Sequence, residues 1–162
     1  MRIDIRPATA ADVPLILGFI NALAEYERLA DHVGATEASV HDSLFGSSPS
    51  AEAVIAYVDG EPAGFAVWFH NYSTFLSRRG LYLEDLFVLP DKRGRGVGRA
   101  LLRHLAGIAV ARGCGRMEWA VLDWNETAIR FYQSLGAQPM ADWTIYRLTG
   151  DALKRLAVSD DA

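Results

Sequence analysis

The chain has 162 residues, 51% of them hydrophobic, enough for one domain with a substantial core. Its net charge of −4, with no polybasic run, excludes a nucleic-acid binder of the basic-domain kind. A single cysteine, Cys114, excludes an internal disulfide, and no segment approaches the ~18 uninterrupted apolar residues of a membrane span.

Met1 to Arg6 carries Asp4 and lacks an apolar run, so it does not read as a signal peptide, and the expected location is cytoplasmic. Arg2 to Arg6 alternates apolar and polar residues and predicts a short strand. Thr9 and Asp12 have the spacing of a capping box. After them Val13, Ile16, Leu17, Ile20, Leu23 and Ala24 predict an amphipathic helix ending near Glu25 to Arg28. Acids in a last helical turn have the wrong sign for the helix dipole. Tyr26 and Glu27 are therefore either a solvated terminus or a surface that faces a cationic ligand.

Thr36 predicts the cap of a second helix through Phe45, with Val40 and Leu44 inward. Ala53 to Val58 predicts a strand, Asp59-Gly60 a hairpin turn, and Pro62 to Phe69 the returning strand. His70 to Phe75 reads as irregular. Leu81 to Leu89 is a long apolar run, hence a buried strand, ended by Pro90-Asp91.

Next come Gly94, Gly96 and Gly98, interleaved with Arg93, Arg95 and Arg99. Val97, Leu101, Leu105, Ile108 and Ala109 then recur at helical spacing. A glycine-rich loop that opens a helix is an anion site. Backbone N–H groups converge without Cβ obstruction, the helix end adds unpaired donors, and arginine adds bidentate phosphate contacts. A Walker-type loop is excluded because Gly98 is followed by Arg99-Ala100, and a dinucleotide fingerprint because Arg99 stands where its last glycine would.

Gly113-Cys114-Gly115 predicts a turn with Cys114 as a small residue, and no base or metal partner for its thiol is suggested. Arg116 to Leu122 predicts a strand that includes Trp119. Asn125 predicts the N-cap of a helix with Ala128, Ile129, Tyr132 and Leu135 on its inner face, stopped by Gly136. Thr144 to Leu148 predicts a last strand, Asp151 to Ala157 a short helix, and Ser159 onward a polar tail. The predicted order β-α-α-β-β-β-α-β-α-β makes a mixed α/β sheet, with a parallel connection across the helix after the glycine loop.

Glu84 and Asp85 interrupt the central apolar run. Neighbouring strand residues point to opposite faces, so the two are expected not to act as one paired site. They read either as satisfied structural acids or as a base whose pKa is raised by burial. Tyr132 reads either as a core tyrosine or as a proton donor in a cleft. His32, His41, His70 and His104 have no metal-ligand spacing, and no metal is expected.

Arg93-x-x-Gly96-x-Gly98 resembles the pyrophosphate loop of the GNAT superfamily of N-acetyltransferases, and the stretch from Asn125 to Ala137 resembles the C-terminal motif of that family. Ile5 to Asp12, Tyr26-Glu27, Tyr82 to Asp85 and Ala120 to Asn125 resemble the diamine (spermidine/spermine) branch, and Asn71 to Thr74 its thialysine-acetylating relatives. The segment Gln138 to Trp143 is shorter than the acidic segment of that branch, with Asp142 as its acid.

The resemblance implies a single-domain α/β (α+β) acyl-CoA N-acyltransferase fold over residues 1–157, a mixed central sheet flanked by helices, and a polar tail over 158–162. It implies acetyl-CoA as co-substrate. Leu86, Phe87 and Val88 would bind the pantetheine arm. Gly94, Arg95, Gly96, Val97, Gly98 and Arg99 would bind the pyrophosphate, with Arg93 beside it. Asn125, Glu126, Thr127 and Ala128 would line the rest. Tyr132 would be the general acid, also touching the cofactor, and Glu84 a water-mediated base. Tyr26, Glu27, Glu84 and Trp119 would line the acceptor pocket. The implied reaction is direct attack of a small-molecule primary amine on the thioester, in a homodimer without nucleic-acid or membrane partners. A protein N-terminal or lysine acetyltransferase, or a non-catalytic acyl-CoA sensor, are the alternatives.

Overall fold

Strand β1 (Ile3–Pro7) leads into the capping box at Thr9, whose backbone N–H donates to Asp12 Oδ2 at 2.8 Å. In this computed structural model, which describes residues 1–158, the box starts a single 3-10 turn that continues as helix α1 (Val13–Tyr26). Thr36 Oγ1 accepts from the Ser39 N–H at 3.2 Å and caps helix α2 (Glu37–Phe45). Strands β2 (Glu52–Val58) and β3 (Glu61–Ser73) are joined by Asp59-Gly60, both at positive φ (51° and 89°). Two consecutive left-handed residues give the turn whose twist matches a right-twisted hairpin.

β3 runs without interruption through His70 to Ser73, where the sequence predicts irregular chain, and β4 (Arg78–Val88) starts earlier than expected. The reason is mutual: Asn71, Tyr72 and Ser73 pair with Gly80, Arg79 and Arg78, so polar residues complete an exposed hairpin end. Helix α3 (Val97–Ala111) follows the glycine loop, and β5 (Met117–Glu118) returns parallel to β4. The strand predicted over 116–122 is thus only two residues long. The sheet order is β1-β2-β3-β4-β5, antiparallel except for the last pair.

Cross-strand partners share a face of the sheet. One face carries Ala53, Ile55, Phe65, Val67 and Phe87 and packs on Val13, Ile16 and Phe19 of α1 and Val40 of α2. Phe19, absent from the predicted stripe, stacks on Phe65 with centroids 5.1 Å apart. The other face is covered by α3, which buries Val97, Leu101, Leu102, Leu105 and Ala109 and packs on β1 to β4. Fully burying a Leu or Phe contributes roughly 1.5–3 kcal/mol, so these two layers carry most of the stability. At the end of α3, Arg112 makes a bidentate pair with Glu52 (2.6 and 2.9 Å) and also reaches His70 Nε2 at 2.9 Å.

The chain divides into two compact units, Met1–Leu122 and Asp123 onward. In the second, α4 (Glu126–Ser134) is capped by Asn125 Oδ1, which accepts from the Ala128 N–H at 3.3 Å. It stops at Gly136, φ +89°. The predicted strand over 144–148 does not form; Ile145 and Tyr146 are exposed there. Alternation alone does not make a strand without a neighbouring edge to pair with. Helix α5 (Gly150–Val158) closes the described chain, and the predicted tail from Ser159 lies outside the described residues. No helix among the described residues is long and apolar enough to cross a membrane.

Candidate active site

The central strand is irregular at its acids. Leu83 pairs with Trp68 and Asp85 with Val67, so Glu84 has no partner in the ladder and the register shifts there. Such a bulge breaks the two-residue alternation. As a result Tyr82 (opposite Phe69) and Asp85 (opposite Val67) share the α1 face, with Phe87 opposite Phe65 following them. The two acids stand differently: Asp85 is half-buried on that face, and Glu84 is exposed. The bulge keeps them in electrostatic contact, and Glu27 at the end of α1 joins them.

Burial pushes the Asp85 carboxyl up to about 6, and the negative charges of Glu84 and Glu27 add to the rise. Burial also raises Glu27. The Tyr82 phenol is raised by burial and by Glu84 and Glu118. The negative charges of Glu84 and Glu27 beside half-buried Asp85 favour a cationic visitor, since they disfavour the ionised form of Asp85. Asp85 was read from the sequence as either a structural acid or a base, whereas Tyr82 was given no role there. The available signal was a charge inside an apolar run; the bulge itself has no sequence signature here.

Beyond Tyr82, β4 has no ladder partner on its β5 side among the described residues. Leu89 donates its N–H to Ala63 O, on the β3 side. Strand alternation then turns the peptide groups of Leu86 and Val88 to the opposite edge. Arg93 Nε donating to Val88 O at 2.9 Å fits that direction. An unpaired strand edge can take an extended chain bearing amides, as a further strand would be taken.

The loop after β4 places Gly94 at φ +72° and Gly96 at φ +84°, and Gly96 is the N-cap of α3. A side chain at either position is strained by the backbone, although a Cβ there meets no atom within 4 Å. The first bond of α3 is Ala100 N–H to Gly96 O. The N–H groups of Val97, Gly98 and Arg99 precede it and have no intrahelical carbonyl to bond. Arg95 and Arg99 are exposed. Consecutive amide donors, a helix dipole and two guanidinium groups fit a pyrophosphate. Arg93, expected beside that pyrophosphate, turns its guanidinium over the rings of Tyr26 (4.8 Å) and Phe87 (5.3 Å).

Trp119 follows β5 and is half-buried. In the second unit Asn125 is buried, Ala128 and Tyr132 are half-buried, and Glu126 and Thr127 are exposed. The Tyr132 ring lies 5.6 Å from that of Phe131. Cys114 does have an imidazole beside it: Sγ is 3.8 Å from His70 Nδ1, which is itself 2.9 Å from Gly80 O. Among the described residues no group of three or more His, Cys, Asp or Glu could hold a metal ion.

A model of the acetyltransferase (GNAT) family matches residues 18–137. The chain belongs to this family. Acetyl transfer is its reaction, and the GNAT fold implies acetyl-CoA as the acetyl donor. The GNAT chain is 37% identical to the thialysine N-epsilon-acetyltransferase of Bos taurus, over 94% of this chain and 96% of that one. It is 34% identical to the L-ornithine N5-acetyltransferase of Arabidopsis thaliana, over 94% and 86%. Among solved structures, an integron cassette protein from the mobile metagenome of V. cholerae superposes with a TM-score of 0.81 at 29% identity, covering 98% of this chain and 99% of that one. An aminoglycoside acetyltransferase from a soil metagenome shares the fold at 21% identity and a TM-score of 0.74.

Proposed function

We propose that this enzyme acetylates a primary amine of a small cationic molecule, a diamine or a thialysine-like amino acid. The supporting observation is half-buried Asp85 at the β4 bulge, with the charges of Glu84 and Glu27 acting on it. The named activities of the relatives, on thialysine and ornithine, agree with it. In this reading Tyr26, Glu27, Glu84 and Trp119 line the acceptor pocket.

An amine with the pKa of lysine is neutral in only about one molecule in a few thousand at pH 7, so making the free base costs roughly 4–5 kcal/mol. Glu84, unpaired in the ladder and exposed, receives that proton through water. The bound donor supplies an activated acetyl thioester. The β4 edge at Leu86, Phe87 and Val88 holds its pantetheine arm. The Gly94 to Arg99 loop holds its phosphates, and Asn125 to Ala128 contribute the remaining contacts. Tyr132 gives the proton that the departing thiolate needs.

The domain is read as residues 1–157 and the assembly as a homodimer, in which exposed Trp143, Ile145 and Tyr146 are apolar surface available for burial. Light scattering on purified protein tests the dimer. The function is tested by thiol release from acetyl-CoA with free amines against amino-terminal peptides. Turnover confined to peptides contradicts the proposal.

A further inference from the structure

At the C-terminal end of α3 a row of side chains crosses the sheet. Arg112, the C-cap of that helix, pairs with Glu52, the first residue of β2: Nη1 donates to Oε2 at 2.6 Å and Nη2 to Oε1 at 2.9 Å. Nη1 also lies 2.9 Å from His70 Nε2 of β3. The same ring places Nδ1 2.9 Å from Gly80 O of β4, nearer than Cys114 Sγ at 3.8 Å. These partners fix the proton. A guanidinium only donates, so Nε2 accepts; a carbonyl only accepts, so Nδ1 carries the hydrogen. His70 is therefore the Nδ1–H tautomer, bonded to α3 through one nitrogen and to β4 through the other.

The row stands beside the β4 bulge. Glu52 pairs with Trp68, and Trp68 with Leu83, the first rung past the unpaired Glu84. His70 pairs with Leu81, two rungs further along. Beyond it the rungs Asn71 to Gly80, Tyr72 to Arg79 and Ser73 to Arg78 are polar, and a polar ladder specifies its register weakly. A regular ladder without the bulge is the competitor. Continuing the Val67 to Asp85 rung in step would set Glu84 opposite Trp68, on the face that α3 covers, and Tyr82 opposite His70. That ladder gains a rung and buries a carboxylate. It also carries Gly80 one residue, ~3.3 Å, away from His70 and breaks their bond.

We infer that His70 is a positioning residue for Glu84: the hydrogen bond from its Nδ1 to Gly80 O holds β4 one residue out of step, which keeps Glu84 unpaired and exposed at the site. This rests on the reading above in which Glu84 receives the amine proton. Arg112 and Glu52 orient the ring, and Gly80 is the contact that sets the register.

Asparagine and glutamine separate the two nitrogens. His70→Asn keeps an N–H at the Nδ1 position for Gly80 O. His70→Gln keeps an acceptor at the Nε2 position for Arg112 and loses the bond to Gly80. The experiment measures both in the full chain, with spermidine and thialysine as acceptors from pH 7 to 10, together with acetyl-CoA calorimetry and NMR. His70→Gln is expected to lower kcat/KM by about tenfold at pH 7, with the deficit narrowing toward pH 9–10, where free amine is abundant. In a Glu84→Gln background it is expected to cost no more than about twofold further, because both act through one group. The cross-strand backbone NOE from Trp68 to Leu83 is expected to weaken in His70→Gln. His70→Asn is expected to keep that NOE and to stay within about threefold of the parent, and both variants to keep the acetyl-CoA Kd within about threefold.

A His70→Gln variant with the parent's kcat/KM would overturn the inference, as would a deficit constant across pH or a tenfold loss that persists in the Glu84→Gln background. Nitrogen shifts that place the His70 proton on Nε2 in the parent would overturn it as well. If the parent acetylates neither amine, the proposed function fails, while the tautomer and the Trp68 to Leu83 NOE still decide whether His70 holds the bulge. Should His70→Gln fail to fold, the parent's tautomer and the kinetics of His70→Asn carry the test, and a tenfold loss in His70→Asn overturns it.

Discussion

Asp85 stands directly across the ladder from Val67, on the face of the sheet that α1 covers. A regular strand would put Leu83 on that face as well; the unpaired Glu84 prevents it. An apolar strand interior and an acidic face are thereby made from one continuous run, Leu81 to Val88. The displaced acid is only partly compensated, and its raised pKa has a consequence for stability.

The native state holds the Asp85 proton more tightly than the unfolded chain, because its pKa rises from the usual 3.8 to about 6. Its contribution is therefore most favourable below about pH 4 and declines as pH rises through about 6. The difference corresponds to about 2–3 kcal/mol. Asp85→Asn is expected to be more stable than the parent by about that amount at pH 7, and close to it at pH 4. Urea unfolding at the two pH values checks this; an equal difference at both would remove Asp85 as the titrating group.

Glu84→Gln removes the proposed proton acceptor without changing size. At neutral pH kcat/KM is expected to fall by about 10²-fold. The deficit is expected to narrow toward pH 9–10, where free amine becomes abundant without help. A pH–rate profile parallel to the parent's would leave Glu84 as a structural bulge residue.

Tyr132→Phe keeps the ring and removes only the hydroxyl. Turnover is expected to fall by about 10²-fold or more, with the acetyl-CoA Kd nearly unchanged. Single-turnover kinetics with calorimetry on the same preparation separate the two. An unchanged turnover number would remove Tyr132 as the acid.

Gly96 is at φ +84° with open space around it, so Gly96→Ala isolates backbone strain from crowding. The left-handed conformation costs a non-glycine residue roughly 1–2 kcal/mol. Stability is expected to drop by about that amount, with weaker acetyl-CoA binding if the loop relaxes instead. Thermal melts with and without acetyl-CoA check both. A variant indistinguishable from the parent would contradict the loop's required geometry.

Much of this was legible from local chemistry. Thr9 with Asp12, Thr36 with Ser39, and Asn125 with Ala128 are interactions within four residues, so helix starts follow from the side chains themselves. Asp59-Gly60 likewise announces its hairpin. The misses are non-local. Asn71 to Ser73 become strand because Arg78 to Gly80 pair with them, and Ile145 to Leu148 do not because none of the described residues pairs with them. The bulge at Glu84 depends on β3 as much as on β4. The contact of the Arg93 guanidinium with the rings of Tyr26 and Phe87 is likewise non-local and was not legible in the sequence.

The most direct test of the account is thiol release from acetyl-CoA against spermidine, spermine, putrescine, thialysine, ornithine and amino-terminal peptides in parallel. The account predicts turnover with one or more of the free cationic amines and little with peptides. Tight acetyl-CoA binding with no turnover of any free amine would contradict it.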